Sequence, residues 1–245
     1  MKFIKRQKVG SSMTDAMGHL SVLGIFQIAE EAATEWMGEL NLDSITTRKA
    51  YNAVWIFTKS KVEIHQSIGW NEEYTAVCFL SEHTHASISI DIGIKNKSDE
   101  LCAYARIEMF ALDLQSHRLR RLSTVGMADS LETEAPLAEL SFTRFDAENL
   151  PEVDHVKVQY TNIDLVGHTN NKEYIRWFLN TYSVQELETK PIRTMEVVYI
   201  NQSFEHDILT IRKGSFQDTE LLAVQKEDNL IAKCAIVREG AEASQ

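Results

Sequence analysis

One short sequence pattern occurs twice in this chain, once near the start and once in the second half. Asp15–His19 (DAMGH) and Asp164–His168 (DLVGH) share the pattern D-x-x-G-H, and the two histidines are 149 residues apart. Each copy follows an extended-looking stretch and opens into an amphipathic segment. Self-similarity at one large offset is typical of a duplicated fold unit rather than a solenoid. Because free backbone N–H groups collect where a helix begins, such a turn can also carry chemistry, and we take the second copy as the candidate site.

Length and composition limit the class of protein. The chain has 245 residues, enough for one large domain or two modest ones, and its 44% hydrophobic and 25% charged residues are typical of a soluble globular protein. A net charge of −11 argues against sequence-independent nucleic-acid binding and against an anionic membrane surface. We find neither a signal-peptide pattern nor an apolar run long enough to cross a bilayer. The scattered cysteines Cys78, Cys102 and Cys234 favour buried reduced thiols, so we expect a cytoplasmic protein.

Hydrophobic periodicity predicts the same order of elements in both halves. Residues 21–40 repeat apolar side chains every three or four positions, which predicts a helix with Ser21 as its N-cap. Alternating patterns then predict several strands, including one at 87–94 with one wet face and a central one at 101–112. Residues 123–150 are acidic and aperiodic and read as a linker.

The second half repeats this order. A strand over 156–160 precedes the second D-x-x-G-H copy, and a helix begins at about Asn171, where Asn170 and Glu173 would form a capping pair. The further strands are predicted near 194–201, 207–213, 219–226 and 230–237. The pattern therefore predicts an α+β fold in which each antiparallel sheet wraps around one long central helix. The predicted domains are 1–122, a linker at 123–150, and 151–245.

The segment Val158–Trp177 resembles the active-site segment of the plant and bacterial acyl-acyl-carrier-protein thioesterases, which are double-hotdog enzymes. Their pattern there is close to D-x-N-x-H-V-N-N-x-x-Y-x-x-W. In the first half, Tyr51–Ile56, Val62–Ile64 and Phe110–Leu122 resemble the family's N-terminal hotdog. The resemblance covers nearly the whole chain. It implies a tandem hotdog whose N-terminal unit receives the acyl chain beside its helix.

The resemblance also implies site residues. Asp164 and His168 match the Asp and His of the family motif, whereas Val166 replaces its Asn. Gln202 stands where the family has a Glu on a later strand, and Ser203 where plant members have a Cys. Of the family's Asp, Asn, His and Glu, the Asn and the Glu are therefore replaced in this chain.

Thioester hydrolysis needs a positioned water, a group to take its proton, and donors aimed at the developing oxyanion. N–H groups near Asn170 and Asn171 are candidate donors. Gln202 can hold a water but cannot accept a full proton, so the base would be His168 or Asp164. The alternative for any D-x-x-G-H segment is a plain turn, which we favour for the first copy.

The remaining candidates are weaker. His83 and His85 form an H-x-H pair without an evident third ligand, and no motif implies a metal or a cofactor. Arg118, Arg120 and Arg121 form a basic cluster in an acidic chain, which is either a docking site for an acidic carrier protein or a solvated loop.

We therefore expect a hydrolase that releases free fatty acid from acyl-acyl-carrier-protein in fatty acid biosynthesis, acting as a monomer or homodimer. The alternatives are a catalytically weakened or inactive acyl-thioester-binding protein and, less well matched to the N-N-x-x-Y-x-x-W continuation, a hotdog dehydratase.

Overall fold

The computed structural model describes residues 2–127 and 132–240 and divides into two compact units, Met1–Ser141 and Phe142–Gln245. The first unit contains β1 (Phe3–Lys8), α1 (Val22–Glu39), α2 (Ser44–Tyr51), β2 (Ala53–Ile64), β3 (Glu73–His83), β4 (Ser87–Asn96) and β5 (Leu101–Asp113). The second contains β6 (Glu152–Lys157), α3 (Asn171–Leu179), α4 (Val184–Thr189), β7 (Ile192–Tyr199), β8 (Ile208–Phe216), β9 (Thr219–Lys226) and β10 (Asn229–Arg238). Residues 128–131 of the predicted linker lie outside the described residues. Within the part of the chain that is described, no helix is long and apolar enough to span a membrane.

Both units are built with the same strand order, which confirms the duplication. In the first unit the antiparallel order is β2-β5-β4-β3-β1, and in the second it is β7-β10-β9-β8-β6. The strand that follows the helices stands first in each order, and the strand that precedes the D-x-x-G-H copy stands last. Strand β5 lies between β4 and β2 in its own sheet, which confirms the central position predicted for a strand over 101–112.

Helix α1 forms where the apolar periodicity predicts it. The Ser21 side chain accepts a hydrogen bond from the Gly24 N–H, so it caps the helix as expected. The buried face contacts all five strands of the first sheet. Helix α3, the counterpart of α1 in the second unit, is much shorter than α1. It ends at Leu179, and just beyond it the Thr181 hydroxyl donates to the Phe178 carbonyl at 2.8 Å. Thr181 and Tyr182 therefore lie beyond the end of the helix.

Strand β4 departs from its predicted pattern of one wet face, because both of its faces are buried. Asp91 lies on the face expected to be wet, and it is 0% exposed because it accepts bonds from Arg106 at 2.7 and 2.8 Å and from Ser81 at 2.8 Å, as well as from Tyr104. The same face is covered by Leu137, which comes so close to Gly93 that a Cβ there would lie 2.5 Å from it. A polar network and a covering segment therefore replace the expected solvent.

The strand predicted over 156–160 ends early, at Lys157. Tyr160–Asn162 forms a short 3₁₀ turn, and Tyr160 is 82% exposed rather than alternating into the core. The equivalent 3₁₀ turn in the first unit is Ser11–Met13, at the same offset of 149 residues. These turns deliver the chain to the two D-x-x-G-H copies in the same way.

Candidate active site

The two D-x-x-G-H copies form one and the same turn. In the first, Asp15 Oδ1 accepts the N–H groups of Met17 at 3.0 Å and His19 at 2.9 Å. In the second, Asp164 Oδ1 accepts those of Val166 at 2.9 Å and His168 at 3.3 Å. Both glycines have positive φ, +79° and +90°, which favours glycine at that position of the turn. The aspartate therefore closes the turn in both copies, including the one predicted to be catalytic.

The histidines that end the turns differ in their surroundings. His19 is exposed, whereas His168 is half-buried and contacts the Phe204 ring edge-to-face, with 5.4 Å between ring centroids. Neither ring nitrogen of His168 has a hydrogen-bond partner among the described residues. Its imidazole is thus held by an aromatic contact and remains available to bind or move a proton.

Helix α3 begins beside His168. The Asn170 side chain caps it by accepting the Lys172 N–H at 3.1 Å, as predicted. The Asn170 N–H is already used, because it donates to the Asn162 carbonyl at 2.8 Å. It therefore cannot serve as an oxyanion donor, contrary to expectation. The Asn171 N–H has no partner among the described residues, as expected for the first turn of a helix, and it is the donor that the site offers.

Glu173 makes contacts that differ from those predicted for it. It does not complete the predicted capping box, and instead its Oε2 accepts Asn162 Nδ2 at 3.0 Å and Arg176 Nε at 3.3 Å. The carboxylate is only 4% exposed and sits in the first turn of α3, where the helix dipole favours negative charge. Asn162 thereby links the 3₁₀ turn to the helix. Sequence alone gave no signal for the bond between Asn162 and Glu173, since these two residues are eleven positions apart and in no recognised motif.

Gln202 and Val166 lie at the surface of the second unit. Gln202 is exposed just beyond the end of β7, so its amide is open to a water or a ligand. Val166 is 41% exposed and is one of several exposed apolar side chains in the segments that carry His168 and Gln202. These side chains are Tyr160 (82%), Leu165 (84%), Val166 and Phe204 (47%). Of these side chains, Phe204 is the one that contacts the His168 ring in the described structure.

Ser203 is fully buried and takes part in a cluster of hydroxyl groups. Its Oγ lies 2.7 Å from Thr169 Oγ1 and 2.8 Å from the Tyr174 hydroxyl, and its carbonyl accepts the Thr169 N–H at 2.9 Å. Burial raises the pKa of Tyr174. Ser203 has no access to solvent and no base beside it, so the cluster is structural rather than nucleophilic.

The loop after Ser203 is held by Asp207. Its Oδ2 accepts the Phe204 N–H at 2.9 Å, and its Oδ1 pairs with Lys226 at 2.8 Å. Partial burial works to raise the pKa of Asp207, but the bonds to Lys226 and Phe204 outweigh it and lower the pKa below its usual value. The carboxylate thereby holds Phe204, and with it the ring that contacts His168.

The other predicted candidates do not gather into a site. No group of three or more potential metal ligands is found in residues 2–127 and 132–240, where His83 and His85 are both exposed. Cys78, Cys102 and Cys234 are buried and unpaired, and burial raises the pKa of each thiol.

The predicted basic cluster divides into two kinds of arginine. Arg120 is held within the first unit, because its guanidinium donates to the carbonyls of Tyr51 at 2.6 Å and Thr124 at 3.1 Å. Arg118 and Arg121 are exposed. Arg120 therefore ties the fold together, and only the other two are available to a partner.

Comparison with family models gives a match in each half of the chain. One family model, described as the acyl-ACP thioesterase N-terminal domain, matches residues 1–126, and another, the acyl-ACP thioesterase C-terminal domain, matches residues 146–245. A search of curated proteins finds no match.

Solved structures resemble the chain along nearly its full length. An acyl-ACP thioesterase from Bacteroides thetaiotaomicron VPI-5482 has a TM-score of 0.90 at 16% identity, covering 97% of this chain and 98% of that one. A 12:0-ACP thioesterase from Umbellularia californica has a TM-score of 0.82 at 12% identity, covering 97% of each chain. These matches confirm the predicted double-hotdog fold.

Proposed function

The chain belongs to the acyl-ACP thioesterase family and is a thioester hydrolase acting on acyl-ACP, and we propose that its second unit carries the reaction, with His168 as the general base. The observation that supports this most directly is the state of the His168 ring. It is half-buried, it is fixed by Phe204, and neither of its nitrogens is used by the fold. A base must have such a free nitrogen within reach of water.

The proposed reaction is a direct hydrolysis. A water held at the Gln202 amide gives a proton to His168 while its oxygen attacks the thioester carbonyl. The developing oxyanion accepts the N–H of Asn171, which the first turn of α3 leaves unpaired. When the carbon–sulfur bond breaks, the protonated imidazole returns the proton to the sulfur. The products are a free fatty acid and the thiol of the carrier protein.

Asp164 acts in this scheme through the turn. Its Oδ1 already accepts two N–H groups, one of them from His168 itself, so it fixes the backbone that carries the base. Asp15 makes the same bonds in the first unit, where the histidine is exposed. Val166 stands at the place of the family's Asn, and its exposed side chain is apolar and offers no hydrogen bond.

The acidic carrier protein would dock on the exposed arginines Arg118 and Arg121. Their charge is complementary to an acidic partner, whereas Arg120 is engaged by backbone carbonyls and is not part of the proposed docking surface. A role in fatty acid biosynthesis, a cytoplasmic location, and a monomeric or homodimeric state remain predictions.

The duplication supplies a matched control for the test. Purified protein is incubated with acyl-ACP of several chain lengths, and thiol release is followed for wild type, H168A and H19A. Loss of a general base commonly costs on the order of 10²–10⁴ in rate, so H168A should lose that much kcat and H19A almost none. Equal activity of H168A and wild type would refute the assignment. Turnover by wild type no faster than by a D164A/H168A double variant would instead favour an acyl-thioester-binding protein.

A further inference from the structure

The hydroxyl cluster Thr169–Ser203–Tyr174 differs from its counterpart in the first unit. At the same offset of 149 residues, Leu20 stands for Thr169 and Ile25 for Tyr174. Ile68 stands for Ser203, because the Leu20 N–H donates to the Ile68 carbonyl at 2.7 Å. All three apolar residues are buried, with exposed fractions of 8%, 3% and 2%. The fold therefore builds this region with apolar side chains in one copy and with hydroxyls in the other.

The backbone does not require the hydroxyls. The bond from Leu20 to Ile68 has the same form as the bond from Thr169 to Ser203, at 2.9 Å, although no hydroxyl accompanies it. Burying hydroxyl groups returns little net stability even when they are hydrogen-bonded, so apolar side chains would serve the fold at least as well. What hydroxyls add is direction, since a hydrogen bond fixes distance and angle while apolar contacts do not.

The three hydroxyls can be fully satisfied in only one order. The Ser203 carbonyl can only accept, so Thr169 Oγ1, 3.1 Å away, donates to it. Thr169 Oγ1 must then accept from Ser203 Oγ, which in turn must accept from the Tyr174 hydroxyl. Each group donates once. The cluster is thus a directed chain that runs from helix α3 through Ser203 to Thr169.

The cluster holds the two segments that carry the proposed chemistry. Thr169 follows His168 directly and precedes the N-cap of α3. Ser203 follows Gln202 directly and precedes Phe204, whose ring contacts His168. We propose that Thr169, Ser203 and Tyr174 are positioning residues that set His168 against Gln202 for the attack on the thioester. This inference rests on the function proposed for His168 and Gln202.

The order of the chain predicts the order of the effects. T169V and S203A each remove two of the three hydroxyl bonds, whereas Y174F removes one. A small misplacement of two reacting groups can lower the rate up to about a hundredfold. We therefore expect T169V and S203A to lower kcat by roughly ten- to a hundredfold, and Y174F to lower kcat by a smaller factor. KM should stay within about twofold, because none of the three side chains is exposed to substrate.

The experiment measures kcat, KM and melting temperature for these variants with acyl-ACP. T169S keeps the hydroxyl and should recover most of the kcat that T169V loses. I68V is the matched control in the first unit, and it should lower the melting temperature slightly without changing kcat. On a Q202A background the effect of S203A on kcat should shrink, because a positioning residue loses its effect once the positioned group is gone.

A change in kcat of less than twofold in folded T169V and S203A would overturn the inference, and so would equal losses in T169S and T169V. If either variant does not fold, Y174F carries the test alone, since it removes only one bond. H168A separates the two proposals. If H168A keeps wild-type activity the proposed function fails, whereas a loss in H168A without one in the hydroxyl variants refutes only the positioning role.

Discussion

Replacing Asp164 by Asn tests whether its carboxylate only forms the turn or also acts as the catalytic base. Both turn bonds end on Oδ1, from Val166 at 2.9 Å and from His168 at 3.3 Å. Asparagine also carries a carbonyl oxygen at this place, so D164N can keep both bonds and loses only the charge. D164A loses both. The two variants therefore have different consequences if Asp164 serves the turn and the same consequence if it serves as the base.

The size of each effect follows from the number of bonds. A hydrogen bond contributes about 0.5–1.5 kcal/mol net, so D164A should lose roughly 1–3 kcal/mol of the free energy of unfolding. The same loss is expected for D15A, because Asp15 accepts the equivalent bonds at 3.0 and 2.9 Å. D164N and D15N should both lose well under half as much. Stability thus responds alike to the same change in either copy.

Activity should respond in the second copy only. With acyl-ACP as substrate and thiol release as the readout, we expect D164N to keep kcat within about threefold of wild type. D164A should fall by roughly ten- to a hundredfold, because the turn that carries His168 loosens. D15A and D15N should not change kcat. A loss on the order of 10²–10⁴ in D164N, with its melting temperature unchanged, would refute this reasoning and make Asp164 the base.

Three further predictions concern both units. D91N should lower the free energy of unfolding by about 3–5 kcal/mol, because it leaves the buried Arg106 without its full partner. Denaturant unfolding should show that the double variant D91L/R106M recovers part of this loss. D207N should lower the melting temperature at pH 7. Because the pKa of Asp207 is lowered in the folded state, the stabilisation by its carboxylate is present above the ordinary aspartate pKa of about 3.9 and is lost as the pH falls through the lower folded-state pKa, so the difference from wild type should shrink in acid. R118E/R121E should raise KM for acyl-ACP and spare a short thioester, and equal effects on both substrates would refute docking there.

The fold could be predicted because its signals are local and repeated. The offset of 149 residues and the apolar periodicity of α1 identified the duplication and the element order. What failed depended on distant covering segments. The wet face predicted for β4 is buried because Leu137, far along the chain, lies over it and because Asp91 finds Arg106 on the next strand. Periodicity reports which face is polar, but not whether a polar face meets solvent.

The local geometry of the candidate site could be predicted only in part. The resemblance pointed to the turn and helix start, yet motif letters do not say which N–H groups the fold already uses. In the structure the Asn170 N–H donates to the Asn162 carbonyl, and the Glu173 carboxylate accepts from Asn162 and Arg176 and does not complete the capping box. The resemblance implies a Cys of plant members at the position of Ser203, and in the structure Ser203 is buried in the hydroxyl cluster.

The duplication distinguishes the residues that form the turn from those that could carry the proposed chemistry. Asp15 and Asp164, and the glycines that follow them, are common to both copies and close identical turns, so they account for the shape and cannot account for a difference in chemistry. The first copy has this shape with an exposed histidine and an apolar core behind it. The differences in the second copy are a half-buried His168 and the hydroxyls that fix its neighbours. A correctly folded turn is therefore necessary for the proposed activity but not sufficient for it.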